Sequence, residues 1–284
     1  MGFFGWGKRK QAALELELVY HAGLGYALEA QGQLDAAIAE YREAIRIKPD
    51  DPVYHYCLAS ALGRNGQRDA AIAEYREAIR IKPDDHITRC ALGLTLRQVG
   101  QVDAAIAQYR EAIRIDPNFQ FAHHGLGVAL QQAGKLAEAI AEFHEAIRLK
   151  PDDAMSHDAL GNTLVQKGQL DEAIAEFREA IRVKPAYAIA HNCLGKALVQ
   201  KGQLDEAIEQ HREAIRLDPA VASYHYHLAL VFALKQDVTR TAKRLRRTIE
   251  RDPSYRDRAR KDPAFDSVRS ASEIVELLGP PEAP

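Results

Sequence analysis

Residues 154–187 read AMSHDALGNTLVQKGQLDEAIAEFREAIRVKPAY, and closely similar segments precede and follow them in the chain. Pro185, close to the end of this segment, has a counterpart every 34 residues from Pro49 to Pro253. Such a period is typical of a repeat architecture and is not expected of a single compact domain. The sequence therefore predicts a linear array of 34-residue units.

The residue pattern of each unit predicts two helices, A and B, joined by a tight turn. With position 1 at Leu18, position 7 is Leu and position 28 is Ile in all seven units. Position 8 is Gly or Ala, and position 20 is Ala in the first six units, as expected where two helices approach closely. Position 15 is Gly in the first six units, where helix A would end. Asp51 and Pro52 have the sequence of an N-cap followed by a first-turn proline.

These positions resemble the tetratricopeptide repeat family over residues 18–253. The matching features are Leu and Gly at positions 7 and 8, Ala at 20, an aromatic residue at 24 such as Tyr41 or Phe143, and Pro at 32. The family's Trp at position 4 is replaced by His or Arg, and its Tyr at position 11 by Leu or Phe. The resemblance implies an all-α fold, a right-handed superhelical solenoid of seven helix-turn-helix repeats with a C-terminal capping helix.

The repeat register divides the chain into segments. We expect residues 1–17 to form an N-terminal apolar and basic arm that leads into the first helix. Residues 254–278 would form a capping segment over the open apolar end of the array, and residues 279–284 a flexible tail. The seven units between them would be residues 18–51, 52–85, 86–119, 120–153, 154–187, 188–221 and 222–253.

Helix A also contains positions that vary freely between units, among them 2, 5 and 9. In the family that the chain resembles, these positions face a concave groove. Their residues predict an apolar floor with scattered polar groups, suited to an extended or helical protein segment with apolar anchors. The alternative is that the apolar residues only pack between helices. The predicted groove residues are Tyr26, Tyr56, Ile87, Cys90, Leu94, Phe121, His124, Val128, Met155, Asp158, Asn162, Ile189, Asn192, Lys196 and Tyr226.

The resemblance also allows one known ligand of the family to be tested against the sequence. The chaperone-tail clamp of this family uses Lys at position 5 and Asn at position 9 of one unit. No unit of this chain carries that pair, and Asn192 with Lys196 is one of the nearest comparisons. We therefore do not expect the chaperone tail as a ligand.

No catalytic site, cofactor or metal site is expected from the sequence. The histidines at position 4 are expected to pack between helices. Cys90, His124 and Asp158 occupy position 5 of successive units in the order of a Cys-His-Asp triad. Equivalent residues on neighbouring A helices should lie roughly 8–10 Å apart, which is too far for a thiol–imidazole hydrogen bond.

Three function classes stay open for this sequence. The first is a scaffold or adaptor that binds a protein or peptide segment in the groove. The second is a structural protein that self-associates through its N-terminal arm or its basic C-terminal end. The third is an accessory arm of an enzyme complex whose catalytic chain is separate.

Charge and hydropathy limit the other partners. The net charge of −2 gives no global basic field, so we do not expect nucleic acid as a partner.

The arm, with Phe3, Phe4 and Trp6 before Lys8, would be a disordered tail, a peripheral membrane anchor or a plug for a groove. Three cysteines, an odd number, favour a reducing cytoplasm. A basic patch for an acidic partner, or simply a solvated surface, is predicted at Lys243, Arg244, Arg246 and Arg247.

Overall fold

The computed structural model describes residues 3–279, and the side chains of residues 13–279. This part of the chain consists of helices and turns without a strand, which confirms the predicted all-α class. The chain divides into two compact units, residues 1–149 and residues 150–284. We call them the N-terminal unit and the C-terminal unit.

The N-terminal unit is built from helix pairs, in which each odd-numbered helix packs against the helix that follows it. The first helix has 28 residues, whereas the first helix of the second pair has 13. The pairs are α1 (Phe3–Ala30) with α2 (Leu34–Ile47), α3 (Pro52–Arg64) with α4 (Arg68–Ile81), α5 (His86–Gln98) with α6 (Val102–Ile115), and α7 (Gln120–Gln132) with α8 (Leu136–Leu149).

The C-terminal unit repeats this arrangement and adds two short helices at its end. Its pairs are α9 (Ala154–Gln166) with α10 (Leu170–Val183), α11 (Ala188–Gln200) with α12 (Leu204–Leu217), and α13 (Ala222–Leu234) with α14 (Val238–Arg251). A helix α15 (Tyr255–Lys261), a 3-10 turn (Pro263–Phe265) and a helix α16 (Ser272–Leu278) follow. No described helix has both the length and the apolar character needed to cross a membrane.

The turn inside each pair depends on a left-handed backbone conformation. The six glycines at position 15 have φ between 75° and 83°, which confirms that helix A ends there. At Gly66, the amide of the next residue, Gln67, donates to the carbonyl of Leu62 at 2.9 Å and closes the helix end. In the last pair Gln236 takes the same place with φ 58° and without the freedom of glycine.

Small residues at position 8 allow an aromatic side chain of helix B to lie directly on helix A. A Cβ atom at Gly161 would lie 2.7 Å from the ring of Phe177, so any larger residue would displace that ring. Phe177 is fully buried, as are Ala173 and Ala180 on the same helix. Burial of this aromatic and alanine face supplies the apolar core of the first five pairs.

Position 4 of helix A carries a side chain that ties three backbone segments together. The Nε2 of His55 lies 2.9 Å from the carbonyl of Pro49, which ends the preceding unit, and its Nδ1 lies 2.7 Å from Glu74 on helix B. Arg89 makes the equivalent contacts, donating to the carbonyl of Pro83 at 2.8 Å and to Gln108 at 3.2 Å. Histidine and arginine therefore replace the family's Trp as hydrogen-bonding links, not only as packed rings.

The two short C-terminal helices cover the end of the last pair, where the sequence predicted a cap. Phe265, Ile274 and Leu278 are buried against Tyr226 and Leu245 of that pair. The segment is further held by Arg260, which donates to the carbonyl of Leu278 at 2.8 Å. These contacts exclude water from an apolar face that would otherwise be exposed.

Candidate functional site

Position 2 of helix A presents an apolar side chain to solvent in both units. The exposed fraction of these residues ranges from 48% to 70%, so packing within the described chain does not bury them. This is contrary to the alternative that position 2 serves only helix packing. The residues are Val19, Val53, Ile87 and Phe121 in the N-terminal unit, and Met155 and Ile189 in the C-terminal unit.

The N-terminal unit collects seven of the predicted groove residues around one cavity of about 320 Å³. We call this cavity the apolar trough. Its predicted lining residues are Tyr56, Ile87, Cys90, Leu94, Phe121, His124 and Val128.

Phe119, Arg97 and Tyr109 also line the apolar trough, although the sequence did not predict them. The ring of Phe119 packs edge-on against His86, with ring centroids 4.7 Å apart, and its centroid lies 5.6 Å from that of Phe121. The Nε of Arg97 is buried and has no hydrogen-bond partner among the described residues. The trough therefore combines an aromatic wall with one unsatisfied donor.

Tyr26 lies in a neighbouring depression of the same unit. Its hydroxyl is 3.0 Å from the Sγ of Cys57, and this contact together with burial raises the pKa of Tyr26. Glu29, which borders the same depression, accepts hydrogen bonds from Tyr41 at 2.9 Å and from Arg64 at 2.7 Å. The Tyr26 hydroxyl and the Glu29 carboxylate thus already have partners within the chain. This depression is also more polar than the trough.

The position 5 residues show no activated nucleophile. Burial raises the pKa of the Cys90 thiol to about 12, the opposite of what a nucleophilic cysteine requires. The ring of His124 packs edge-on against Phe143, with ring centroids 5.8 Å apart. Among the residues with described side chains, no three His, Cys, Asp or Glu residues lie together as metal ligands would.

The predicted groove residues of the C-terminal unit are mostly polar, and four of them form hydrogen bonds within the chain. Asn162 donates to Asp158 at 3.1 Å, and the Oδ1 of Asn192 lies 2.8 Å from the Nδ1 of His227. Burial raises the pKa of Asp158 to about 6, although hydrogen bonds from Cys193 and Asn162 oppose the shift. Tyr226 is buried beneath the cap and donates to Asp262 at 2.6 Å.

The predicted basic patch lies on α14 of the C-terminal unit. Lys243, Arg246 and Arg247 are exposed and border a surface depression of about 450 Å³ that also includes Glu250 and Glu273. Arg244 is half-buried, and this burial lowers its pKa. The role of this patch in binding a partner stays a prediction.

Family comparison agrees with the helix-pair geometry. A family described as "TPR repeat" matches residues 25–66, 93–134, 161–202 and 195–236, which make up more than half of the chain. Two further matches described as "Tetratricopeptide repeat" cover residues 54–85 and 120–153. The chain belongs to the tetratricopeptide repeat (TPR) family. A comparison with curated proteins finds no match.

Several solved structures are similar to this chain. YrrB, described as a TPR protein with an unusual peptide-binding site, has a TM-score of 0.52 and 24% identity, covering 64% of this chain and 93% of YrrB. MamA has a TM-score of 0.53 and 26% identity, covering 57% and 95%. PilF from Pseudomonas aeruginosa has a TM-score of 0.65 and 19% identity, covering 76% and 99%. At 24% and 19% identity, the likeness to YrrB and PilF concerns the fold alone.

Proposed function

We propose that this TPR protein is a scaffold that binds a segment of a partner protein in the apolar trough of its N-terminal unit. The observation that carries the proposal is the exposure of Ile87, Leu94 and Phe121 around one cavity. Exposed aromatic and aliphatic side chains gathered at a concave site are typical of a surface that a partner covers. TPR proteins generally mediate contacts between proteins, and the peptide-binding site named for YrrB supports the same class of ligand.

The chemistry of the trough defines the segment that it would bind. Aliphatic or aromatic side chains of the segment would contact Phe119, Phe121 and Ile87. The unsatisfied Nε of Arg97 would donate to a carbonyl of the segment's backbone. No acidic residue lines the described trough, so a strongly basic segment is not favoured. On this proposal the protein acts by binding and not by catalysis.

A peptide-display selection against the whole protein tests this proposal. Selected peptides should be rich in apolar residues, and the Phe121→Asp variant should bind them at least roughly tenfold more weakly. Val19→Asp is the matched control. Val19 occupies the same repeat position as Phe121, in another helix pair of the N-terminal unit, but it does not line the trough. Equal binding by wild type and Phe121→Asp, or an equal loss in the control, would show that the trough is not the site.

Two finer features belong to the same proposal. We propose that the helix pairs from α1 with α2 to α13 with α14 correspond to seven repeats, and their turns at Gly32 to Gln236 support this division. We also propose that the protein works as an adaptor in the cytoplasm. Its three cysteines, all free in the structure, support a reducing location.

Self-association is a second candidate function, favoured by the surface of α1. Leu16, Val19 and Tyr20 follow helical spacing and are 73%, 70% and 63% exposed. A second copy of the chain would bury this strip. The strip begins with Leu16 inside the predicted arm of residues 1–17, whereas the side chains of Phe3, Phe4 and Trp6 lie outside the described residues.

Sedimentation velocity over a range of concentrations tests the second candidate. Association should be lost in the Leu16→Glu, Tyr20→Glu double variant and kept in Glu17→Ala, which changes an exposed polar residue of the same helix. A wild-type protein that sediments as a monomer at every concentration would exclude this function without affecting the trough.

A further inference from the structure

Helix α14, which is helix B of the last pair, carries four arginines on one face. Arg240, Arg244, Arg247 and Arg251 are spaced by four, three and four residues, and side chains at such spacing are neighbours on a helix. Arg244 is half-buried and the other three are exposed. We call these four residues the arginine row. The row belongs to helix B and therefore lies outside the helix A positions of the predicted groove.

The other six pairs do not carry arginine at these repeat positions. Position 23, occupied by Arg244, is Glu or Gln in all six, and position 26, occupied by Arg247, is Glu in all six. Position 19, occupied by Arg240, is Ala or Glu, and position 30, occupied by Arg251, is Ile, Leu or Val. A terminal repeat that had only lost the constraints of packing would carry varied residues there. Four changes to the same residue on one face instead indicate a binding surface.

The first structural consequence is a missing ion pair between neighbouring B helices. Arg178 of α10 donates to Glu206 of α12 at 2.7 Å. The equivalent positions one pair later are Arg212 of α12 and Arg240 of α14, so two like charges replace the ion pair. Arg212 pairs with Glu209 of its own helix instead, at 2.7 Å. The junction between α12 and α14 therefore lacks the carboxylate that the preceding junction contains.

The second consequence is a broken link at His225, the position 4 residue of the last pair. Its Nε2 lies 3.1 Å from the carbonyl oxygen of Pro219, as in the other pairs. Its Nδ1 is buried and has no hydrogen-bond partner among the described residues, because position 23 is Arg244 and not an acceptor. Burial lowers the pKa of His225, and the positive charges of the arginine row lower it further. The row therefore weakens the fold locally.

Arg244 itself has no counter-charge. It forms no ion pair with any described residue, and burial lowers its pKa together with the charges of Arg212 and Arg247. Arg247 has only a distant partner, because its contact with Glu250 is 3.4 Å long. A half-buried cation beside other cations is unfavourable unless a negative charge lies nearby. An anion bound along the row would supply that charge.

Carboxylates beside the arginine row restrict the shape of this anion. Glu209 lies on the α12 side, and Glu250 and Glu273 line a surface depression together with Arg247. A membrane or a nucleic acid presents phosphates over a broad area and would also meet these carboxylates. None of the described side chains of α14 is a large exposed apolar group that could enter a membrane. A narrow line of negative charges fits better.

We propose that the arginine row is a docking surface for an acidic helical segment of a partner protein. Glu or Asp side chains spaced by four, three and four residues would follow the row along its length of about 16 Å. Each guanidinium would bind a carboxylate through charge-assisted hydrogen bonds, which the flat arginine head forms in pairs. The row belongs to the C-terminal unit, so this proposal is independent of the apolar trough.

Fluorescence anisotropy with the full-length protein tests the proposal at constant ionic strength. The acidic probe is a labelled alanine–glutamine peptide, acetylated and amidated, with glutamates at i, i+4, i+7 and i+11. The second probe has glutamine in place of each glutamate. A single-stranded oligothymidine and phosphatidylserine vesicles represent phosphate surfaces. Saturable binding of the acidic peptide alone supports the proposal. Equal binding of the two peptides, or tighter binding of the oligothymidine or the vesicles, overturns it.

A matched pair of variants locates the binding on the row. Arg247→Gln should weaken binding of the acidic peptide at least roughly tenfold. Arg182→Gln removes the same charge from an exposed position of helix B in another pair of the same unit, and it should bind as the wild type does. Both residues are exposed, so the fold should be kept. An equal loss in the two variants would show that only net charge matters.

Arg244→Glu separates binding from folding. Glutamate at position 23 restores the acceptor that His55 and His157 have, so the pKa of His225 should rise in an NMR titration of its ring. The same variant should bind the acidic peptide at least roughly tenfold more weakly, although its fold is repaired. If the pKa of His225 rises and binding is unchanged, the arginine row is not the docking surface.

Discussion

The Nδ1 of His123 lies 2.8 Å from the Oε2 of Glu142, and its Nε2 lies 3.1 Å from the carbonyl oxygen of Pro117. Both partners are acceptors, so both ring nitrogens are best satisfied when each carries a proton. The hydrogen bond to Glu142 is the largest cause that raises the pKa of His123, and the Pro117 carbonyl adds to it. The same arrangement raises the pKa of His157 in the C-terminal unit.

A first prediction concerns the pH dependence of this link. Because the pKa of His123 is higher in the folded state, its stabilising contribution is complete below the unfolded value of about 6.5. It is lost as the pH rises through the folded pKa. Glu142→Gln keeps an acceptor but removes the charge, so it should lower the pKa of His123 and flatten this loss. NMR titration of the His123 ring and urea unfolding between pH 6 and 8 measure both effects. An unchanged His123 pKa in this variant would contradict the assignment.

A second prediction concerns His211, whose pKa is lowered to about 3, first by burial and then by the charges of His227 and Lys196. A folded pKa below the unfolded one means that stability is lost as the pH falls below about 6.5. Relative to pH 7, the loss at pH 5 should be about 2 kcal/mol for this residue. His211→Phe should remove it, as measured by urea unfolding at the two pH values. The reverse change, Phe177→His, should introduce the same acid sensitivity one unit earlier. If His211→Phe raised the free energy of unfolding equally at both pH values, the result would contradict this assignment.

A third prediction concerns the last turn, where Gln236 adopts φ 58°. A left-handed conformation costs a residue with a Cβ roughly 1–2 kcal/mol, so Gln236→Gly should raise the free energy of unfolding by about 1 kcal/mol. Gly202→Ala is the matched opposite. Nothing lies within 4 Å of a Cβ at Gly202, so the decrease in the free energy of unfolding of Gly202→Ala should come from the backbone conformation alone. Chemical denaturation of both variants tests the pair, and a destabilised Gln236→Gly would refute the backbone argument.

A fourth prediction separates packing positions from trough positions. Leu126 is 2% exposed at position 7, and Leu126→Ala should cost about 2–5 kcal/mol of unfolding free energy. Leu94 is 44% exposed in the trough, and Leu94→Ala should cost less than about 1 kcal/mol. Urea unfolding of both variants is the measurement. A loss below about 1 kcal/mol for Leu126→Ala would undermine the repeat register.

Much of the fold could be predicted because a few residue types have only one local solution. Gly66 itself adopts the positive φ at which helix A ends, as its place at position 15 indicated. Asp51 caps α3 by accepting from the amide of Val53 at 3.1 Å, and Pro52 occupies the first turn, as predicted. These are short-range effects, in which the sequence determines the backbone within a few residues.

The candidate sites could be predicted only in part because they depend on contacts outside the repeat period. Phe119 occupies position 34, a loop position, and reaches the trough because His86 supports its ring. Tyr226 occupies a variable position but is buried by the cap, which has no counterpart in the other units. The isolation of His211 is likewise tertiary, since it is invisible until the neighbours of its two nitrogens are known. The repeat position of a residue therefore predicts which way its side chain points, and the neighbouring elements determine whether that side chain is accessible to a ligand.

The link between position 4 and the preceding proline also explains why the spacing of this chain is so regular. His55, His123 and His157 each reach a proline carbonyl six residues earlier, across the loop between units. One inserted or deleted residue in that loop would separate the imidazole from the carbonyl and leave a buried ring nitrogen unsatisfied. We therefore expect the loop to tolerate little change in length, and such a protein to vary by side-chain substitution and by duplication of whole 34-residue units.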